Sequence, residues 1–304
     1  NYQINRLTMK KLLLILLCLP IVGFGQQTYV PDNWFESFLE YNGMGNGILN
    51  DSSVFTSAID TVTSLYVYNL NISDLTGIEE FTSLTELSCH SNQLTTLDVS
   101  QNTALTYLYC SSNQLTSLDV SGATALTYLN CFDNQLTSLD VSNNTALTVL
   151  ECWSNQLTSL DVSGATALTY LYCYNNQLTS LDVSNNTALT VLECWSNQLT
   201  SLDVRNGNNQ NILSFKAYNN PFLNCIDVDN PAYSTANWVV ANLNIDPQHY
   251  FSNNCSGTAI EEQTTNKELF KVTDILGRET NGKKKQPLFY IYDDGTVEKR
   301  IVIE

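Results

Sequence analysis

From Leu84 to Asn209 the apolar and polar positions follow a cycle of 21 residues, repeated six times without a gap in the form LTYLYCSSNQLTSLDVSGATA. Leu84, Leu105, Leu126, Leu147, Leu168 and Leu189 open these units; a divergent unit opens at Val62 with a 22-residue step and another at Ile212 after a two-residue insertion, so eight coils are countable. Within a unit Leu105, Leu108, Cys110, Asn113, Leu115, Leu118, Val120 and Ala125 hold recurring positions and are expected to point inward. The alternation Leu108, Tyr109, Cys110 has the period of two that sends successive side chains to opposite faces of a strand. LTSLDVS predicts a second strand in each coil. Twenty-one residues leave too little chain for two strands, two turns and a helix, so the coils are expected to be almost helix-free. One coil cannot bury its apolar side alone; stacking at roughly 4.8 Å per coil buries it against the next. The pattern predicts a mainly β solenoid.

Asn113 recurs as Asn92, Asn134, Asn155, Asn176 and Asn197, a polar residue at an inward position, which requires its amide to bond the turning backbone. The units resemble the leucine-rich-repeat family, LxxLxLxxNxL, in its short 21-residue bacterial variety with LDV in the second half. That resemblance covers about half the chain. It implies a right-handed solenoid with a parallel sheet lining its concave side.

The flanks break the cycle. Residues 9–25, MKKLLLILLCLPIVGFG, have a basic start, an apolar run too short to span a membrane, and small residues before Gln26, the form of a secretory signal. Met9 is expected to be the true start, placing 1–25 outside the fold. Residues 26–61 form an N-terminal cap, in which YVPDNWFESFLEYNG predicts a short amphipathic helix with Asp32 near its start and Phe35 and Leu39 on one side. The solenoid is assigned to 62–229. A C-terminal cap, 230–255, follows Pro221, with Trp238, Val239, Val240 and Leu243 available to close the last coil. Next come a polar linker, 256–267, and a basic tail, 268–304. No second apolar run is long enough to span a membrane, so the mature protein is expected to lack a transmembrane segment.

The tail holds seven of the ten basic residues that remain after the signal, and its segments read as strands joined by turns, with Asp294-Gly295 a hairpin signal. In the turn Leu276-Gly277-Arg278, the strand Tyr290 to Tyr292 and the basic then aliphatic ending Lys299 to Ile303, it resembles the C-terminal sorting domain of the type IX secretion system of Bacteroidetes. The tail is short for that domain and lacks its usual upstream proline-rich strand. The resemblance implies contact with the type IX machinery, export through the outer membrane and removal of the tail, leaving the protein cell-surface or extracellular.

Charge removes one class of partner. The formal net charge is -17, and no lysine or arginine lies between Gln26 and Arg205, so nucleic acid, which needs clustered cations, is not an expected ligand. Cys89, Cys110, Cys131, Cys152, Cys173 and Cys194 occupy a leucine slot and are expected to be buried free thiols, because side chains pointing in parallel disfavour the disulfide torsion. Cys225 and Cys255 lie outside this ladder in an exported, loop-rich cap and are expected to be bonded.

Outward positions on the concave sheet carry the candidate binding residues. One column runs Tyr68, His90, Ser111, Phe132, Trp153, Tyr174, Trp195, Tyr218; the next includes Tyr66, Tyr109, Glu151, Tyr172 and Glu193; a third adds Tyr107, Tyr128 and Tyr170. An exposed aromatic stripe with interleaved carboxylates suits either a protein partner or a polysaccharide. Stacked tyrosines can equally serve the sheet alone, leaving a structural spacer. Asp98, Asp119, Asp140, Asp161, Asp182 and Asp203 form a further column on the other face, satisfied by adjacent hydroxyls and amides or, less well matched, by calcium. No cofactor or metal site is expected. An enzyme is the rival class: neither His90 nor His249 accompanies a credible nucleophile, and Glu151 and Glu193, two coils or roughly 10 Å apart, exceed the usual glycosidase separations.

Overall fold

The computed structural model describes residues 25–255, 269–273, 278–280, 287–292 and 297–301, which fall into two compact units divided between Cys255 and Ser256. The first unit opens with strand Gln27–Tyr29, paired antiparallel with Ser53–Phe55, and between them the helix Asn33–Tyr41. Asp32 caps this helix: one carboxylate oxygen accepts from the amides of Trp34 and Phe35, and the other accepts from the amide and hydroxyl of Ser73. Burial opposes its charge, yet these bonds hold the carboxyl below its ordinary value. Phe35 and Leu39 are fully buried, and Phe35 stacks on Phe81. The strand pair goes beyond the helix that the sequence predicts, since three residues on each side show too little alternation to read.

Eight parallel strands, from Ser64–Tyr66 to Ser214–Lys216, form one sheet in chain order with constant register. Leu65, Leu87, Leu108, Leu129, Leu150, Leu171, Leu192 and Phe215 make one buried row along it. On the opposite side the LDV segments pair in parallel, Thr96–Asp98 with Ser117–Asp119 and Ser180–Asp182 with Ser201–Asp203. Between these pairs the ladder thins to a single bridge, Asp140 to Asp161. Helical backbone within the coils is confined to the short turns Ile78–Glu80 and Asn209–Asn211. This is a leucine-rich-repeat solenoid of about nine turns with 21-residue repeats. The eighth coil has a strand in each sheet, Ser214–Lys216 and Cys225–Asp227, and the ninth turn is incomplete: Tyr250–Ser252 extends only the second sheet.

The recurring asparagine holds the coils together. Asn155 donates its amide to the carbonyls of Cys152 and Trp153 in its own coil and of Cys131 in the preceding one, and its Oδ1 accepts from the Leu136 amide. Asn134 and Asn176 repeat the same set. The residue before each asparagine turns the chain out of the concave strand in the left-handed region, with φ between 51 at Ser112 and 56 at Ser91. Serine, aspartate and asparagine fill that column; asparagine and aspartate tolerate the conformation through local hydrogen bonds.

Ala125 is only half-buried, so the inward slot in the last turn of each coil lies two residues earlier than the sequence pattern suggests. That slot alternates between Asn102, Asn144 and Asn186 and the alanines Ala123 and Ala165, all fully buried. Asn144 donates to the carbonyls of Val120 and Ala123 in the coil beneath, and Asn186 to those of Val162 and Ala165. The alanine coils carry Gly122 and Gly164 instead of Asn143 and Asn185, and they lie so close to the preceding backbone that an added Cβ would meet the Ser100 or Ser142 carbonyl oxygen at 1.8 or 2.3 Å. Two kinds of coil therefore alternate, which gives the duplication of residues 148–162 as 190–204 a structural meaning.

The six ladder thiols are fully buried and free, one per coil beside the leucine row. Burial pushes the thiols of Cys89, Cys152 and Cys194 up to about 12 and likewise raises those of Cys110, Cys131 and Cys173 well above the ordinary thiol value. Cys225 and Cys255 form a disulfide with Cα atoms 5.7 Å apart, tying the end of the unit to the strand Cys225–Asp227.

The C-terminal end closes differently from the expectation. Trp238 is buried and stacks on Phe215 at 4.0 Å, but Val240 and Leu243 are exposed. They sit on a 3-10 turn that projects outward, with Leu243 at φ 56, and Ile245 takes the buried place instead.

The second unit is a three-stranded antiparallel sheet, Leu269–Thr273, Pro287–Tyr292 and Val297–Ile301 in chain order. The two strands Pro287–Tyr292 and Val297–Ile301 lie in the segment that the tail predicts as strands, whereas Leu269–Thr273 precedes the predicted segment DILGRE at 274–279. Residues 9–24 of the signal 9–25, the linker 256–267, Leu276, Gly277 and the Asp294-Gly295 turn lie outside the described residues. Among the described residues no helix is long and apolar enough to cross a membrane.

Two outcomes follow from this core. Asn155→Ala is expected to lower stability by about 1–3 kcal/mol, because it strands four backbone groups; urea unfolding that shifts by only a few tenths would contradict the ladder's role. Thiol titration of the folded chain at pH 8 is expected to find the ladder cysteines silent, and six groups should react once the unreduced mature protein is unfolded. Finding two or none would overturn the free-thiol ladder.

Candidate functional site

The concave sheet presents three columns, one before, one beside and one after the leucine row. In the third column each ring follows an inward residue, a cysteine except at Tyr68 and Tyr218, where it is Val67 and Ala217, and precedes the left-handed turn residue, as Phe132 lies between Cys131 and Asp133. Every ring therefore leaves the sheet at the same point of its coil. Strand spacing of roughly 4.8 Å is close to the separation at which offset aromatic rings attract, so residues in one column stack.

Phe132, Trp153, Tyr174, Trp195 and Tyr218 form a continuous pile with successive centroids 4.0, 5.1, 4.3 and 5.2 Å apart and planes within 12° of parallel. Trp153, Tyr174 and Trp195 have both faces covered by neighbours. The pile shows solvent its edges. Tyr68 and His90 make a separate pair at 4.9 Å and 4°. Ser111, 7% exposed, interrupts the column between the two groups, so the stripe foreseen in the sequence is two stacks.

The other columns are polar and more open. Tyr107 and Tyr170 are exposed, while Tyr109 leans on Tyr128 with centroids 5.0 Å apart. Glu151 accepts from the Tyr128 hydroxyl and the Asn130 amide. Burial, followed by that bond to Glu151, pushes the Tyr128 phenol up to about 12. Burial and nearby carboxylates likewise raise Tyr109 and Tyr172. Glu193 is paired with Lys216 at 2.9 Å and accepts from the Ser214 hydroxyl. Each glutamate thus has neighbours of its own, and the two do not converge on one point.

Reading the columns by their aromatics passes over Glu86, which lies in register with Tyr107 and accepts from the Tyr66 hydroxyl at 2.9 Å. The available signal is that its slot holds tyrosine, valine or serine in every other coil, so the charge there is singular.

The aspartate column belongs to the opposite face, as expected. Asp98, Asp119, Asp140, Asp161 and Asp182 each accept from the backbone amide of the serine two residues on, and Asp203 from that of Arg205. Bonds from those serines hold the carboxyls of Asp119, Asp140 and Asp161 below their ordinary value. Arg205 does the same for Asp203, which it also pairs as a salt bridge. Each carboxylate closes its own turn, which is sufficient reason for its recurrence.

Comparison with known proteins bears on the coils. The leucine-rich-repeat family profile, two copies per match, fits residues 103–144, 145–186 and 166–207, all within the solenoid. Internalin J of Listeria monocytogenes serotype 4b (strain F2365) is 44% identical over 78 residues, which are 25% of this chain and 8% of that protein. A solved structure described as the functional domain of InlJ from Listeria monocytogenes, including a cysteine ladder, is 38% identical with a TM-score of 0.49; the match covers 67% of this chain and 52% of that one. Internalin C2 of the same species is 20% identical with a TM-score of 0.49, covering 76% and 99%. The chain therefore spans only a small part of the length of internalin J and about half of its solved domain. Its central coils are leucine-rich repeats related in sequence to those of a Listeria internalin.

Proposed function

We propose that this chain is an exported, cell-surface recognition protein that binds a protein partner on its concave face and performs no catalysis. The observation that carries this reading is the orientation of the rings. A polysaccharide stacks the apolar face of a sugar on an open aromatic face, and the three central rings of the pile have none to offer. Edges of tyrosine and tryptophan, rimmed by tyrosine hydroxyls and carboxylates, are contacts that a protein surface can match. The sites for contact are Tyr68, His90, Tyr107, Tyr109, Tyr128, Phe132, Glu151, Trp153, Tyr170, Tyr172, Tyr174, Glu193, Trp195 and Tyr218. The relation of the repeats to an internalin supports a secreted or surface location and a protein ligand. The separate basic β tail is assigned to export by a type IX machinery, on the motifs it carries.

The concave site is tested by binding the chain to a panel of bacterial and host surface proteins and polysaccharides, beside a Trp153→Ala, Trp195→Ala double variant with an unchanged unfolding midpoint. Binding to a protein is expected to weaken at least about tenfold in the variant, as for buried aromatic anchors. Equal binding by both would return the rings to a purely structural role, and loss of a polysaccharide instead would change the ligand class. Deleting 268–304 is expected to leave the protein in the periplasm; surface display of the deletion variant would sink the tail's assignment.

A further inference from the structure

At the N-terminal end of the concave sheet the columns leave a gap. Tyr66 and Tyr109 occupy the same column two coils apart, roughly 10 Å by strand spacing, and the residue between them is Ser88. Tyr68 and His90 form one wall and Glu86 the other, enclosing an open cleft of about 520 Å³. Its floor, Ser88, is 7% exposed, while Tyr66 and Tyr68 are about half-exposed at 48% and 50%. Along the ring pile, by contrast, each slot is filled by the next ring.

The carboxylate in this cleft differs from its counterparts. Glu193 is matched by Lys216, and Glu151 by Tyr128 and Asn130. Glu86 accepts one neutral bond, from Tyr66, in a stretch where no lysine or arginine lies between Gln26 and Arg205. Lys216 shows what the sheet does with such a group: it stands in the same column as Tyr66, Ser88 and Tyr109, and it places its ammonium 2.9 Å from a glutamate. Glu86 therefore offers a carboxylate that a cation from a partner can pair.

We propose that this cleft receives an arginine side chain of the protein partner, its guanidinium lying against Tyr66 and Tyr109 and donating to Glu86. The inference rests on the concave-face reading and adds a charged anchor to it. A guanidinium fits better than an ammonium, because it is planar, stacks on aromatic faces and donates to a carboxylate through a fork. An overall charge of -17 draws a basic partner toward the sheet.

The test uses the full chain and the tripeptide acetyl-Gly-Arg-Gly-amide, with acetyl-Gly-citrulline-Gly-amide as the uncharged isostere, followed by tyrosine ring resonances. Arginine peptide is expected to saturate the wild type at least about fivefold more tightly than citrulline peptide, as expected when a desolvated cation meets an aromatic ring. That advantage should disappear in Glu86→Gln, and in Tyr109→Ala both peptides should bind weakly. The Trp153→Ala, Trp195→Ala variant, altered several coils away, should bind arginine peptide as the wild type does. Equal affinity for the two peptides in the wild type overturns the cleft while leaving the ring pile as a recognition surface. Loss of arginine binding in the tryptophan variant, with retention in Glu86→Gln, overturns it too and moves the arginine onto the pile.

Discussion

Everything in the first unit depends on the spacing between coils, which is set by hydrogen bonds and not by the apolar core. Leucine rows tolerate small slides, because hydrophobic attraction has no direction. The asparagine amides do not: each must reach a carbonyl in its own coil and another in the coil before it, and Asn134, Asn155 and Asn176 all do so at 3.0–3.1 Å. A buried amide left without these partners is costly, so the repeat distance is fixed within tight limits at every step. The core then fills the space that distance leaves, and the slot after the leucine row holds Val67, six cysteines and Ala217, all fully buried.

The same distance governs the surface. Rings in successive coils cannot avoid each other at the strand spacing, and the resulting pile is a product of repetition. Repetition also determines what the pile can offer a partner, since rings that cover one another expose only edges. Features that can discriminate between ligands therefore sit where the repetition fails: at Ser111, where a rung is missing, and at Ser88, where the cleft opens beside Glu86.

Much of this was legible in the residues. The 21-residue period exposed the coils, the period of two within LYC separated inward from outward positions, and Asp32 before an amphipathic stretch announced the capped helix. What stayed hidden has physical reasons. A sequence assigns a ring to a slot but says nothing of its rotation about χ1 and χ2, so stacking and an open platform look alike. Val240 and Leu243 read as core because they are apolar, although a local turn decides their direction. Ala125 was misplaced because its column is uniform, whereas the true core slot, alternating between asparagine and alanine, looks variable.

That alternation has a consequence for how such an array changes length. Gly122 permits its coil to nest on the Ser100 carbonyl, and Asn144 then clamps the next coil onto the one containing Gly122. Removing a single coil would set two nesting coils or two clamping coils in succession, leaving a seam where bulk meets bulk or a gap meets a gap. Removing a pair restores the original sequence of neighbours. Between Leu84 and Ala188 the solenoid is built as a two-letter crystal whose lattice constant is 42 residues, and that stretch lengthens or shortens without a fault only in whole unit cells.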